Sequence, residues 1–125
     1  MKVLVCGGRD FDDREFVWKT LDDLNEAWLK EFTMIIQGEC PRGADKHAKE
    51  WAEARGIHCA GVKALWNKYG KGAGMRRNEA MMQLAPTLLV AFPGGPGTAN
   101  MIETAETWNA NDWLDNECRI VEITK

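Results

Sequence analysis

The 125 residues suffice for one domain spanning 1–125, and 45% hydrophobic content with 28% charged residues suits a packed core rather than a disordered chain. A net charge of −3 argues against nucleic acid as a partner, since duplex binders need a basic face for counterion release, although a local basic patch can still hold a small anion. Cys6, Cys40, Cys59 and Cys118 are too scattered for a Cys-x-x-Cys pair or, with His47 and His58, a zinc site, and Val3-Leu4-Val5 is too short to span a membrane, so the expectation is a cytoplasmic chain with reduced thiols, no metal and no membrane.

Short apolar runs alternate with longer amphipathic stretches. Val3 to Cys6, apolar throughout as a central parallel strand should be, stops at Gly7-Gly8. Val17, Leu21, Leu24 and Trp28 then mark one face of a helix from about Asp13 to Glu31, with Asp12 or Asp13 as its cap. Thr33 to Gln37 is a second strand ending at Gly38. A helix from about Gly43 to Arg55 follows, with Ala44, Ala48 and Trp51 inward and Gly56 as its stop. Ile57 to Val62 is weaker and more polar, as an edge strand would be. A glycine-rich basic connection from Lys63 to Gly74 precedes a helix from about Met75 to Leu84.

Thr87 to Phe92 is the strongest strand pattern and must be central. The loop Pro93-Gly94-Gly95-Pro96-Gly97-Thr98 opens a helix from about Thr98 to Trp108, Asn109 to Asn116 reads as irregular, and Arg119 to Ile123 alternates like a half-exposed edge strand. About five strands with intervening helices predict an α/β fold, a doubly wound parallel sheet in three α/β/α layers. With the first and fourth strands central, the order is 3-2-1-4-5, and ligands of such sheets bind at the carboxyl ends of the strands beside the switch point.

Three loops occupy that edge. Glycines in Pro93 to Thr98 allow a ligand close to the backbone, and the helix they open presents unpaired N–H groups and a positive dipole end suited to phosphate. Thr98 adds a hydroxyl bond or caps that helix. Gly7-Gly8-Arg9-Asp10 adds a guanidinium for phosphate, while Asp10 either accepts from ribose hydroxyls or holds Arg9, and Phe11 is a packing anchor. In Arg42-Gly43-Ala44-Asp45, Arg42 is a second anion contact or a surface ion pair, and Asp45 faces a ligand or simply sits in a helix's first turn. Trp66 or Tyr69 can stack on a base. Arg76 and Arg77 open a helix, where a cation is unfavourable without an anion nearby.

Gly-Gly-Arg-Asp-Phe from Gly7, Arg-Gly-Ala-Asp from Arg42, Trp-x-x-Tyr-Gly from Trp66, Arg77-Asn78 and Phe-Pro-Gly-Gly-x-Gly-Thr-Ala-Asn-Met from Phe92 occur here in order. Together they resemble the YspA-like branch of the SLOG superfamily, which includes the LOG phosphoribohydrolases and the Rossmann-like domain of the DNA-processing protein DprA. The resemblance implies a Rossmann-like fold and a nucleotide-derived ligand, such as a nucleoside monophosphate, ADP-ribose or an NAD-like molecule, with no cofactor required. It maps the glycine-loop role onto Gly94, Gly95, Gly97 and Thr98, beside Pro93, and the family's arginine onto Arg77, with the strand-one role on Gly8 and Arg9.

LOG-like enzymes cleave the N-glycosidic bond of a nucleoside monophosphate with an arginine and a glutamate. Here Asn100 stands where that carboxylate is expected, and an amide stabilises oxocarbenium character far less well. Glu103, one turn further on, is the substitute candidate beside Arg77; Glu79 and Asp10 are others. The expected function is binding or sensing of a small-molecule nucleotide derivative. The alternatives are LOG-like hydrolysis and a DprA-like interaction module, and Trp28, Trp108 or Trp113 would favour a homo-oligomer surface if exposed.

Overall fold

Val3, Leu4 and Val5 are all fully buried, which requires a helical layer on each face of the strand that carries them. The computed structural model describes residues 1–111 and 117–125. In chain order the elements are β1 (Lys2–Cys6), α1 (Arg14–Ala27), β2 (Met34–Gln37), α2 (Ala44–Arg55), β3 (His58–Gly61) and α3 (Trp66–Tyr69). A 3-10 turn (Gly70–Gly72), α4 (Ala73–Met82), β4 (Leu88–Ala91), α5 (Pro96–Asn109) and β5 (Arg119–Glu122) complete them.

The five strands form one sheet in the order β3-β2-β1-β4-β5, the order expected from the sequence. Every pairing is parallel, with Val3 beside Ile35 and Leu88, and Val5 beside Val90. Alternation along the strands divides the core in two. Val3, Val5, Ile35, Leu88 and Val90 face Val17 and Leu21 of α1 and Ala44, Ala48 and Trp51 of α2. Leu4, Cys6, Ile36, Leu89 and Ala91 face Met81 and Met82 of α4 and Met101 and Ala105 of α5. The β3 and β5 strands form the edges and are only partly buried. No helix among the described residues is long and apolar enough to cross a membrane.

Several boundaries differ from expectation by one to four residues, and the larger differences have identifiable causes. The α1 helix stops at Ala27, not Glu31, in a Schellman turn: the Leu29 N–H donates to Glu26 O (3.0 Å) and the Lys30 N–H to Asn25 O (2.7 Å). Leu29 takes the left-handed position at φ 55° that glycine usually fills, so the sequence carries no stop signal there. The connection after β3 is largely helical. Gly70, at φ 58°, breaks it only once, and burial of Ala73 against the body lets α4 begin two residues before Met75.

The α5 helix begins at Pro96 with Gly95 as its cap, because proline's fixed φ suits the first helical position and its missing N–H costs nothing there. Thr98 therefore lies inside the first turn and does not cap it. At the other end α5 continues through Asn109; Trp113 and the rest of 112–116 lie outside the described residues. Asp13, not Asp12, caps α1, accepting from the Phe16 N–H at 3.1 Å.

Candidate functional site

Two central strands stop at the same height, and their loops touch. The Gly8 N–H donates to Pro93 O (2.9 Å), and a Cβ on Gly8 would stand 3.2 Å from both the Gly94 Cα and the Pro93 carbonyl oxygen. Any side chain at Gly8 would therefore press the β1 and β4 loops apart. Gly43, at φ 82°, brings the start of α2 against the same loop, where a Cβ would lie 2.7 Å from Arg9 Cα. Phe11 stacks on Phe92 with ring centroids 5.8 Å apart and so anchors the turn.

The result is a crevice of about 950 Å³ at the carboxyl edge of the sheet, between the β1 loop, the first turn of α5 and the flank of α4. Gly7, Gly8, Arg9, Asp10, Asp45, Trp66, Arg77, Asn78, Pro93, Gly94, Gly95, Gly97, Thr98 and Asn100 all line it, so most of the residues picked from the sequence converge there. The α5 helix meets it with no side-chain cap and no acidic residue in its first turn. Its leading N–H groups have no partner within the helix, and they carry the positive end of its dipole.

Two networks brace this wall. Arg77 donates from Nη1 to the Gly38 carbonyl (2.7 Å) and from Nε to Asn78 Oδ1 (3.1 Å), tying α4 to the tip of β2. Asn78, buried, donates from Nδ2 to Asn100 Oδ1 (2.9 Å), which joins α4 to α5 directly beneath the glycine turn. Because α4 starts at Ala73, Arg76 and Arg77 do not open the helix, and no dipole misfit needs explaining. Arg76 instead covers the Tyr69 ring, 4.4 Å from its centroid.

Asp45 is the buried carboxylate of the crevice, only 5% exposed. Its Oδ2 accepts from the Cys40 N–H at 3.4 Å, closing the loop between β2 and α2. Burial raises its carboxyl above the ordinary range, opposed by the Cys40 thiol and by the Arg77 charge. Burial and the Asp45 charge in turn raise the Cys40 thiol, and burial raises the Cys6 thiol far more. Neither thiol is an activated nucleophile.

Several candidates fall elsewhere. Arg42 donates from Nη2 to Asp10 Oδ1 (3.0 Å) in an exposed ion pair and, like Gly43, does not line the crevice. Glu103 and Glu79 lie on exposed helix positions outside its lining, because each follows the solvent face of a helix whose other face packs on the sheet. Among the described residues, no three His, Cys, Asp or Glu side chains gather to hold a metal ion. Sequence reasoning missed Cys40, Lys71, Met75, Met81 and Met101 as lining residues. Lys71 sits in the basic glycine-rich segment already marked by composition, whereas nothing in the sequence pattern sets the methionines apart.

A family model described as "YspA, cpYpsA-related SLOG family" matches residues 1–69, which carry the β1 loop, the β2 loop and α3. The chain is also similar to the Gene 61 protein of Mycobacterium phage D29, 31% identical over 112 residues that cover 84% of this chain and 88% of the phage protein. That similarity extends beyond the part matched by the family model. No solved structure matches the chain significantly. On the family-model match, which covers more than half of its residues, the chain belongs to the YspA, cpYpsA-related SLOG family.

Proposed function

We propose that the crevice binds a small nucleotide-derived ligand, held by its phosphate at the first turn of α5. The observation that carries this reading is the uncapped, glycine-rich start of α5, which opens on the crevice at the switch point with Arg9 exposed beside it. Lys71 and Arg77 add positive charge to the lining, against the carboxylates of Asp10 and Asp45. The volume is at the upper end for small-molecule sites and accommodates a whole mononucleotide or a larger derivative. Family membership is compatible with such a ligand. Free thiols fit a reducing cytoplasm as the setting.

Isothermal calorimetry against nucleoside monophosphates, ADP-ribose and NAD tests the reading. Binding of at least one, weakened tenfold or more by Arg9→Ala, is expected. Failure of every member to bind refutes it.

One observation favours hydrolysis as a second reading. Asn100 is bound to Asn78, whereas Asp45 supplies a buried carboxylate facing the same space near Arg77. Release of free base from a bound nucleoside monophosphate, abolished in Asp45→Asn, would establish it. Intact ligand after prolonged incubation with the wild-type protein would exclude it.

A further inference from the structure

The crevice has two chemically different ends. The glycine end presents backbone N–H groups and Arg9. The other rim is apolar and open: Trp66 and Met75 line it while remaining 51% and 55% exposed, and Leu65 is exposed beside them. Buried Met81 and Met101 continue the apolar lining inward.

A half-exposed indole on a structured turn is unusual in a chain that otherwise engages its aromatic rings. Trp51 is fully buried, and Trp18 is covered by Arg14 and Arg55, at 4.2 and 5.1 Å from its centroid. Tyr69, the other ring of the same segment, is taken up by Arg76 and by Lys68 at 5.1 Å, and it does not line the crevice. Among the described residues no ring or cation covers Trp66. Its outer edge (Cη2) lies 3.6 Å from where a Gly74 Cβ would stand, so the ring lies alongside the first turn of α4.

We propose that Trp66 is a stacking platform for a planar heteroaromatic ring, so that the crevice selects ligands with an anion at one end and such a ring at the other. The proposal rests on the nucleotide reading of the same crevice and names the residue that would recognise the base. A concave apolar wall beside a few cations suits a small ring-bearing anion, which is buried from several sides at once. Stacking on an aromatic side chain is also tolerant of ring identity, because every base offers a π-face. Trp66 therefore sets the ligand class and leaves the particular base to other contacts.

The test compares adenosine 5′-monophosphate with ribose 5-phosphate, which keeps the anion and loses the ring. Calorimetric affinities are measured for the wild-type protein, Trp66→Ala and Trp66→Phe. The wild-type protein is expected to prefer the monophosphate. Trp66→Ala should weaken it by about five- to a hundredfold while changing ribose 5-phosphate less than about twofold, and Trp66→Phe should keep most of the preference. Equal weakening of both ligands, or none, overturns the proposal. Ribose 5-phosphate binding without any preference for the monophosphate removes the platform and leaves the anion site standing. If neither ligand binds the wild-type protein, the platform falls, and the anion reading falls with it only if ADP-ribose, NAD and the other monophosphates also fail to bind. Loss of a dimer in sedimentation on Trp66→Ala, with monophosphate affinity unchanged, assigns the patch to a second copy of the chain and overturns the platform.

Discussion

Two glycines of one turn should respond to alanine in opposite ways. A Cβ at Gly94 would meet Gly8 N at 2.7 Å, Thr98 Cβ at 2.9 Å and, closer still, Thr98 Oγ1. Rotation about χ1 can move Thr98 Oγ1, but Gly8 N is backbone and Thr98 Cβ is fixed to the backbone, so the β4 loop must move away from the β1 loop. Overpacking of this kind costs about 1–3 kcal/mol. A Cβ at Gly97 would meet nothing within 4 Å, and Gly97 is the second residue of α5. Alanine there loses less backbone entropy on folding and should add about 0.5–1 kcal/mol, raising Tm by roughly 2–4 °C. In the crevice the same methyl group stands where an anion must approach the α5 amides. Losing one charge-assisted N–H contact costs about 1.5–3 kcal/mol, a roughly ten- to hundredfold weaker affinity. Differential scanning calorimetry and titration with adenosine 5′-monophosphate read both effects. Gly94→Ala should lower Tm, whereas Gly97→Ala should raise Tm while weakening the ligand. A Gly97→Ala protein that is more stable and binds as tightly as wild type would refute the idea that this turn is kept bare for an anion.

Other substitutions probe the frame around the site. Leu29→Gly should stabilise the chain by about 1 kcal/mol in urea unfolding, since Leu29 holds φ 55° and is 83% exposed. Asp45→Asn should be nearly neutral at about pH 4 and stabilising at pH 7: burial raises the native carboxyl, so its stability is full below the unfolded value near 3.8 and falls as pH rises through the native one. A stability difference independent of pH would contradict that assignment. Asp22→Ala should cost about 1–3 kcal/mol, because it strands the buried Trp51 Nε1, which donates to Asp22 Oδ1 at 2.9 Å, and also releases Arg55. Asp22→Asn, which keeps an acceptor, should cost less in the same thermal melts.

Much of the fold was legible because one physical rule covered it. Val3 to Cys6 and Leu88 to Ala91 are apolar at every position, and a strand buried on both faces has no other use for such a run. From two central strands and two weak ones the order β3-β2-β1-β4-β5 followed, and with it the edge where three loops would meet. Boundaries were less legible where a residue acts against its type. Leu29 serves as a left-handed stop, and a run with glycines at 70, 72 and 74 proves mostly helical because tertiary burial of Ala73 outweighs their poor propensity.

The chain's own residues thus determined the elements, their order in the sheet and the presence of glycine loops beside Arg9, Arg77 and Trp66 at one edge. Those follow from periodicity and from backbone chemistry, which act locally. Tertiary structure decided which candidates share a space. Arg42 was taken by Asp10, Glu103 was left in solvent, Asn100 was tied to Asn78, and Asp45 was carried into the crevice. Partner choice of that kind depends on distances between residues far apart in the chain, and no local pattern encodes them.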